Sequence, residues 1–388
     1  MTPNWARWRP STPFTVGIEE EVMMLRPGDW SLAQEIDAVL PEVPSDIEAH
    51  MTAETHGAAI ELATDPHQTV GAAIEQLASL RSGLEDVLEG QGLRAAAAGT
   101  HPSTVWHETV VSSGSRYQFV YGSMRELARR EPTFALHVHV GVAEAEDAIL
   151  LHRRLRAHLP LLLAVSVNSP FWQGRDTGLS SARTPLFQAF PRVGIPRGFR
   201  SYADYVEAVD LLVRCGAIPE PTFLWWDARP QPRFGTVEVR RMDVQSSVDE
   251  TAALVALVQS IARREVLEKE AIRSVGHSPE VLVENRFLAA RDGMDARLID
   301  PARERRVPAR AQLEELLEIC APHAEALGCA AELEGIRPLA ARTGADRQLE
   351  IARDEARLPG LVAALADAFL ARSGSGQAAR ANGRALRS

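Results

Sequence analysis

Residues 17–21 read GIEEE and place three glutamates side by side in a run that is otherwise apolar and β-forming. Side chains alternate faces along a strand, so Glu19 and Glu21 share one face and Glu20 takes the other. Carboxylates about 7 Å apart on one face repel each other unless a cation lies near them. The pattern is typical of a metal site, although an edge strand with solvated glutamates would read the same way.

Two further short β-forming segments carry polar residues among apolar ones. Glu61 lies between Ile60 and Leu62, just before a turn that contains proline. His137 and His139 share one face of the run HVHVG, and paired histidines on a strand suit metal or anion binding. An isolated exposed glutamate and two structural histidines are the open alternatives for these residues.

The run GTVEVRRMD at residues 235–243 is the fourth such segment. Glu238 and Arg240 share one face, and Arg241 takes the other by strict alternation. The pair could supply a metal-binding carboxylate and a phosphate-binding guanidinium, or it could be an ordinary ion pair on a sheet. If all four segments are neighbouring strands, they form one polar face: Glu19, Glu21, Glu61, His137, His139, Glu238 and Arg240.

A face with this composition cannot belong to a hydrophobic core. Carboxylate-rich ligation with few histidines and no cysteine fits Mg²⁺ or Mn²⁺ rather than zinc. The sequence has no GxxxxGK[ST] motif, and all but one of its 42 Lys and Arg residues are arginine, the exception being Lys269. A lysine-dependent nucleotide clamp is therefore excluded unless Lys269 supplies it. Metal ions and arginines would instead neutralise the phosphates of ATP.

The composition indicates a soluble protein of the cytoplasm. The 388 residues are 45% hydrophobic and carry a formal net charge of −10, so nucleic acid and anionic membranes are poor partners. The N-terminus lacks the apolar run of a signal peptide, and the apolar block at residues 159–167 is too short to cross a bilayer. Three scattered cysteines without CxxC spacing indicate reduced thiols.

Hydrophobic periodicity predicts an α+β fold with a helical C-terminal portion. Strand and helix patterns are mixed up to about residue 234, and helical patterns dominate from about residue 248. The small, polar tail at residues 373–388 is expected to be disordered. The predicted strands are residues 14–25, 58–63, 93–98, 133–142, 222–227 and 235–242.

Five segments carry a family resemblance: GIEEE, IELATDPHQT, HVHVGV, GTVEVRRMD and the long block NSPFWQGRDTGLSSARTPLFQAFPRVGIP. Together they resemble the carboxylate–amine ligases of the type 2 glutamate–cysteine ligase family and, more distantly, glutamine synthetase. The resemblance extends from about residue 13 to residue 370. It implies one glutamine synthetase-like catalytic domain over residues 13–372. In such a domain a mainly antiparallel sheet binds ATP and metal ions on its polar face, and helices pack behind it.

The resemblance also implies roles for individual residues. Glu19 and Glu21 would each ligate one of two metal ions. The remaining assignments are metal ligation by Glu61, His137 and Glu238, catalysis on the phosphoryl group by Arg240 and Arg229, nucleotide binding by Arg240 and His139, and substrate binding by Asn168, Arg183 and His139.

The activity that the resemblance implies is ATP-dependent formation of an amide bond through an acyl phosphate. The substrates would be glutamate and cysteine or another amine, and the products would include ADP and phosphate. A metal-dependent amide hydrolase and a non-catalytic relative that binds a nucleotide or metabolite are the alternatives. The sequence leaves open both the amine substrate and a homo-oligomeric state, which would suit the family.

Overall fold

The computed structural model describes residues 3–130, 132–268, 278–353 and 357–371. Lys269 and the tail predicted to be disordered lie outside these ranges. Within them, no helix is long and apolar enough to cross a membrane. The described chain combines antiparallel strands with helices, which confirms the predicted α+β class.

The strands of the described residues organise the rest of the fold. In chain order they are Val16–Leu25 (β1), Met51–Ala53 (β2), Ala59–Ala63 (β3), Arg94–Ala96 (β4), Ala135–Gly141 (β5), Phe171–Trp172 (β6), Arg175–Asp176 (β7), Val193–Gly194 (β8), Trp225–Trp226 (β9), Ala228–Gln231 (β10), Thr236–Asp243 (β11), Arg297–Asp300 (β12) and Arg305–Pro308 (β13). Seven of them form one antiparallel sheet in the order β10–β11–β5–β1–β3–β2, with β4 paired to the C-terminal end of β1.

The helices surround this sheet and account for most of the later part of the chain. In chain order the α-helices of the described residues are Ile36–Val39 (α1), Val70–Gly90 (α2), Ser115–Met124 (α3), Glu126–Arg129 (α4), Ala145–Leu155 (α5), Leu159–Ser166 (α6), Arg183–Phe187 (α7), Tyr202–Arg214 (α8), Val248–Leu267 (α9), Pro279–Asp292 (α10), Ala309–Leu327 (α11), Ala330–Glu334 (α12), Ile336–Ala341 (α13), Gly344–Ile351 (α14) and Leu358–Ala368 (α15).

The helices α2 and α9 cover one face of the sheet. α2 begins where the side chain of Thr69 accepts a hydrogen bond from the Ala72 N–H, and α9 begins in a capping box made by Ser247 and Glu250. Most residues of α9 are buried because it packs among β5, α2, α5, α11 and α12. The large apolar core therefore lies on this side, and polar groups occupy the other face of the sheet.

The strand β1 separates its three glutamates as alternation predicts. Ile18 and Val22 are buried in the core, and Glu20 lies between them on the same face. Glu20 forms a bidentate ion pair with Arg81 of α2, and both side chains are fully buried. Glu20 therefore lies on the face opposite Glu19 and Glu21, as the sequence predicts, and the structure adds that it is part of the core.

The prediction of a strand at residues 222–227 is wrong. Pro221–Phe223 forms a 3₁₀ turn, and only β9 is extended, paired in parallel with β8 outside the main sheet. The edge of the main sheet is formed instead by β10, which contains Pro230. A proline fits there because an edge strand is paired on one side only. In the helical portion, the hairpin of β12 and β13 is a further element that periodicity does not predict.

Candidate active site

Strand register brings the predicted ligands together on the polar face of the sheet. β3, β1, β5 and β11 are successive neighbours, so residues that oppose one another across each pair come into contact. Directly opposed side chains on one face lie about 4.5–5.5 Å apart at Cβ. The opposed pairs are Glu21 and Glu61, Glu19 and His137, and His139 and Glu238.

These side chains form two overlapping trios that could each hold a metal ion. The trios are Glu19, His137 and Glu238, and Glu21, Glu61 and His137. In each trio, one ligand atom per residue lies within 4.8 Å of the others. The Nδ1 of His137 lies 3.1 Å from Glu19, and its Nε2 lies 3.7 Å from Glu21. Such spacing suits a divalent cation that each atom binds at about 2.0–2.6 Å.

His139 offers a further test of whether this site fits a cation. Its Nδ1 lies 3.0 Å from the hydroxyl of Thr236. Its buried Nε2 has no well-directed hydrogen bond to any described residue, although Glu19 Oε1 lies 3.1 Å away. Carboxylate oxygens with an imidazole at their border are a ligand set that fits Mg²⁺ or Mn²⁺.

The carboxylates of the cluster crowd one another. Burial raises the pKa of Glu61 well above its usual value, and the neighbouring charges of Glu19 and Glu54 raise it further. Burial and the charge of Glu54 raise the pKa of Glu21 to about 7, against the opposing effect of two arginines. Burying several negative charges together is unfavourable, so the cluster favours a bound cation.

The raised pKa of Glu21 makes the stability of the metal-free protein depend on pH. Its contribution to stability is fully present below its unfolded pKa of 4.5 and is lost as pH rises through about 7. In EDTA, we expect the free energy of unfolding of the wild type to fall relative to that of Glu21→Gln between about pH 5 and pH 7. Urea denaturation at several pH values measures the difference, and a constant difference across this window would contradict the expectation.

Glu238 is held in one orientation by surrounding donors. Arg229 donates to its Oε2 from Nε at 3.1 Å and from Nη2 at 2.9 Å, and Gln231 donates to the same oxygen at 2.6 Å. Arg240 pairs with Oε1, which lies 4.0 Å from His137 Nδ1. Burial opposes ionisation, but the charges of Arg229 and Arg240 hold the pKa of Glu238 below its usual value.

Glu54 belongs to the site but is absent from the sequence prediction. It follows β2 and lines a cleft of about 280 Å³ together with Glu19 and Glu61. β2 pairs with β3 so that Thr52 opposes Glu61, and this hairpin brings Glu54 to the cluster, where burial raises its pKa. The signal in the sequence is a glutamate seven residues before Glu61 in the run MTAETHGAAIEL.

A β-bulge in β11 adds Arg241 to the site. The register with β5 shifts between Val239 and Met242, so two residues of β11 face one residue of β5. Arg240 and Arg241 consequently line the same cavity beside Glu21. The prediction that Arg241 takes the opposite face is wrong, because the bulge breaks the alternation.

The structure places Arg183 and Asn168, two of the three predicted substrate-binding residues, in different surroundings. Arg183 lines the cavity beside Glu21. Asn168 is fully buried, donates to the Val244 carbonyl and the Ser246 hydroxyl, and accepts a hydrogen bond from Gln348. Because its side chain bonds within the fold, we leave Asn168 out of the proposed site.

Comparison with protein families gives this geometry a context. A family model described as glutamate–cysteine ligase family 2 (GCS2) matches residues 15–364. The chain belongs to glutamate–cysteine ligase family 2. Membership confirms the resemblance read from the five segments and identifies the chain as a ligase.

Relatives within the family match most of the chain. A protein of Rubrobacter xylanophilus with the provisional name glutamate–cysteine ligase 2-1 is 38% identical over 339 residues, which are 87% of this chain and 90% of that protein. A protein of Sorangium cellulosum, provisionally named glutamate–cysteine ligase 2, is 37% identical over 342 residues, which are 87% of this chain and 91% of that protein.

Solved structures show the same fold at low sequence identity. The crystal structure of glutamate–cysteine ligase from Francisella tularensis in complex with AMP has a TM-score of 0.65 at 14% identity and covers 97% of this chain and 92% of that one. A bifunctional glutathione synthetase from Pasteurella multocida has a TM-score of 0.67 at 12% identity and covers 92% of this chain and 52% of that one. The predicted fold class is thereby confirmed.

Proposed function

We propose that the chain is an ATP-dependent carboxylate–amine ligase that forms a γ-glutamyl-type amide bond through an acyl phosphate. The observation that carries this proposal is the pair of ligand trios that share His137 and lie beside Arg240, in a member of a ligase family. The names of the relatives support glutamate and cysteine as candidate substrates. The AMP in the Francisella tularensis structure supports a nucleotide substrate.

The two trios would hold two divalent cations, Mg²⁺ or Mn²⁺. Glu19 and Glu238 belong to one position, Glu21 and Glu61 to the other, and His137 is available to both. Bound cations would neutralise the phosphate charges of ATP and withdraw electron density from the transferring phosphoryl group.

The two arginines next to Glu238 have different roles in this proposal. Arg229 donates hydrogen bonds from Nε and Nη2 to Glu238, and its Nη1 donates to the carbonyls of Thr222 and Leu224. It is therefore a positioning residue that orients Glu238. Arg240 lines both cavities of the site. From its position beside Glu238, its guanidinium would contact the transferring phosphoryl group.

The proposed reaction has two steps and needs no nucleophile from the protein. An oxygen of the acyl donor's carboxylate attacks the γ-phosphorus of ATP, the bond to the bridging oxygen breaks, and ADP leaves. The amine, which has first lost its ammonium proton to solvent, then attacks the acyl carbon through its nitrogen. The carbon–oxygen bond to phosphate breaks, and the nitrogen passes one proton to the phosphate that leaves. Positioning of the reactants and charge neutralisation would supply most of the rate acceleration.

We expect purified protein with Mg-ATP to release phosphate only when glutamate and a suitable amine are both present. One ADP and one phosphate should form per amide, which coupled assays and mass spectrometry of the product measure. Amide cleavage that proceeds without ATP would favour the metal-dependent hydrolase. Binding of ATP without turnover of any amine in a broad panel would favour the non-catalytic relative.

A further inference from the structure

A second cavity adjoins the metal-ligand cluster and combines guanidinium groups with aromatic rings. The proposed reaction steps assign no role to Arg241, which the bulge of β11 brings to this cavity. Its lining includes Arg183, Arg240, Arg241, Phe187, Phe190 and Trp225. Such a combination can hold an anion on a carbon skeleton.

Arg241 lines this cavity, and one edge of its buried guanidinium has no hydrogen-bond partner among the described residues. Its side chain is 3% exposed, and its Nη1 donates to Asp227 at 3.0 Å. Its Nε and Nη2 have no acceptor among the described residues. These two atoms form the edge of a guanidinium that binds a carboxylate with two parallel hydrogen bonds. Arg81 uses the same edge to bind Glu20, which shows the bonding that Arg241 lacks.

Arg183 adds a third free donor at the same cavity. Its side chain is 4% exposed. Its Nη1 donates to the Arg241 carbonyl at 3.3 Å and lies 3.8 Å from Oδ1 of Asp243. Its Nε has no acceptor in the part of the chain that the structure describes. A buried N–H without an acceptor is unfavourable, so three such donors on two arginines indicate a ligand that supplies oxygen atoms.

Arg241 is held in place for this role. Asp227 accepts from Arg241 on one oxygen and from Arg286 of α10, at 3.4 Å, on the other. The Asp227 N–H donates to the Gly194 carbonyl at 2.9 Å, so the carboxylate lies on an anchored backbone. A guanidinium fixed in this way loses little conformational entropy when it binds a ligand.

The rest of the lining matches an amino acid rather than an inorganic anion. The rings of Phe187 and Phe190 have centroids 5.2 Å apart, and Trp225 continues this wall 6.1 Å from Phe190. Glu21 and Glu54 line the same cavity and can accept hydrogen bonds from an ammonium group. A carboxylate, an ammonium and a carbon skeleton therefore each meet a complementary surface.

We propose that this cavity binds the α-carboxylate of an amino-acid substrate on the Nε and Nη2 edge of Arg241, with Arg183 as a second donor and the aromatic rings against the substrate's carbon skeleton. The proposal rests on the proposed ligase function and adds a specificity-determining residue to it. The acyl donor and the amine acceptor can each carry such a carboxylate, and the experiment distinguishes them.

The test combines Arg241→Gln with substrates that lack the carboxylate charge. KM is measured for L-glutamate and L-cysteine and for the α-carboxamide of each. For the substrate that occupies the cavity, we expect the wild type to show a KM about 10-fold to 100-fold higher for the carboxamide than for the acid. Arg241→Gln should raise the KM of the acid by a similar factor, so that the KM values of acid and carboxamide become equal. Its KM for ATP should not change. The substrate that shows this loss of discrimination is the occupant.

Two further variants separate binding from structural support. Arg241→Lys keeps the charge but loses the two-pronged edge, so it should give an intermediate KM even if Arg241→Gln folds poorly. Arg286→Gln removes the other cation from Asp227 without touching the cavity lining. It should loosen Arg241 only partly, so the KM of the acid should rise less than in Arg241→Gln and the acid should remain preferred over the carboxamide. Equal KM changes in Arg286→Gln and Arg241→Gln, or full discrimination in Arg241→Gln, would overturn the proposal.

Failure of the ligase function would be visible separately. Calorimetric titration of the wild type with each amino acid and its carboxamide, without ATP, reports the carboxylate subsite independently of turnover. Tighter binding of the acid than of the carboxamide, lost in Arg241→Gln, would support the subsite even if no amine gives phosphate release. Turnover in the wild type with equal binding of acid and carboxamide for both amino acids would instead overturn the subsite and leave the ligase proposal intact.

Discussion

Glu61→Gln is expected to stabilise the metal-free protein while it reduces ATP-dependent phosphate release by about 100-fold to 1,000-fold. Burial and the charges of Glu19 and Glu54 raise the pKa of Glu61 well above its usual value. The ionised side chain therefore opposes folding when no cation is bound, and an amide of the same shape relieves the repulsion. The gain in stability should be about 0.5–2 kcal/mol, as is common when a destabilised functional group is replaced. The same amide is a poorer ligand for a hard cation.

Melting temperatures in EDTA and in Mg²⁺ test this expectation alongside the activity. Mg²⁺ should raise the melting temperature of the wild type, because a ligand that binds only the folded state stabilises it, and it should raise that of Glu61→Gln less. Glu325→Gln, at an exposed position on α11, is the control and should change stability by less than about 0.5 kcal/mol. A Glu61→Gln variant that is less stable than the wild type in EDTA, or that responds fully to Mg²⁺, would contradict the metal-ligand assignment.

The polar face could be predicted from the sequence because its strands are regular. In β1 and in most of β5 and β11, the side-chain period of two holds over several residues, so alternation alone separates Glu19 and Glu21 from Glu20. The same rule places His137 with His139 on one face of β5 and Glu238 on one face of β11. Alternation does not show that these strands are adjacent in one sheet, whereas the family resemblance implies that they are.

The residues that sequence reasoning missed lie where the period of two fails. Arg241 reaches the site through a bulge, and an inserted residue has no marker in a run of alternating side chains. Glu54 follows a strand of only three residues, which is too short for a pattern. The edge strand β10 contains Pro230, a residue that argues against a strand unless the edge position is known.

Asn168 illustrates the limit of reasoning from a motif. Its place in the family block NSPFWQGRDTG suggested contact with substrate. In the fold, its amide joins the segment after β11 to α14 through Val244, Ser246 and Gln348. A motif can be maintained by such packing and hydrogen bonding as readily as by a ligand, and only the three-dimensional contacts separate the two cases.

Arg81→Met is expected to lower the free energy of unfolding by about 3–5 kcal/mol, the usual cost of leaving a buried charge without its partner. Arg81 donates from Nε and Nη2 to Glu20, each at 2.8 Å, and both side chains are fully buried. Without the guanidinium, Glu20 would keep only the hydroxyl of Thr251 as a side-chain donor among the described residues. The carbonyls of Gln245 and Phe369 would also lose a donor. Urea denaturation with the linear extrapolation measures the loss.

The double variant Glu20→Leu/Arg81→Met should recover much of this stability, because apolar residues of similar volume avoid the desolvation cost of two buried charges. In this double variant, the rise in melting temperature caused by Mg²⁺ and the rate of phosphate release should stay near their wild-type values. Glu20 lies on the core face of β1, whereas Glu19 and Glu21 lie on the other face. Loss of phosphate release in a double variant that is fully folded would place Glu20 in the catalytic machinery. Retained activity would show that neighbouring glutamates of one strand serve the core and the metal site separately.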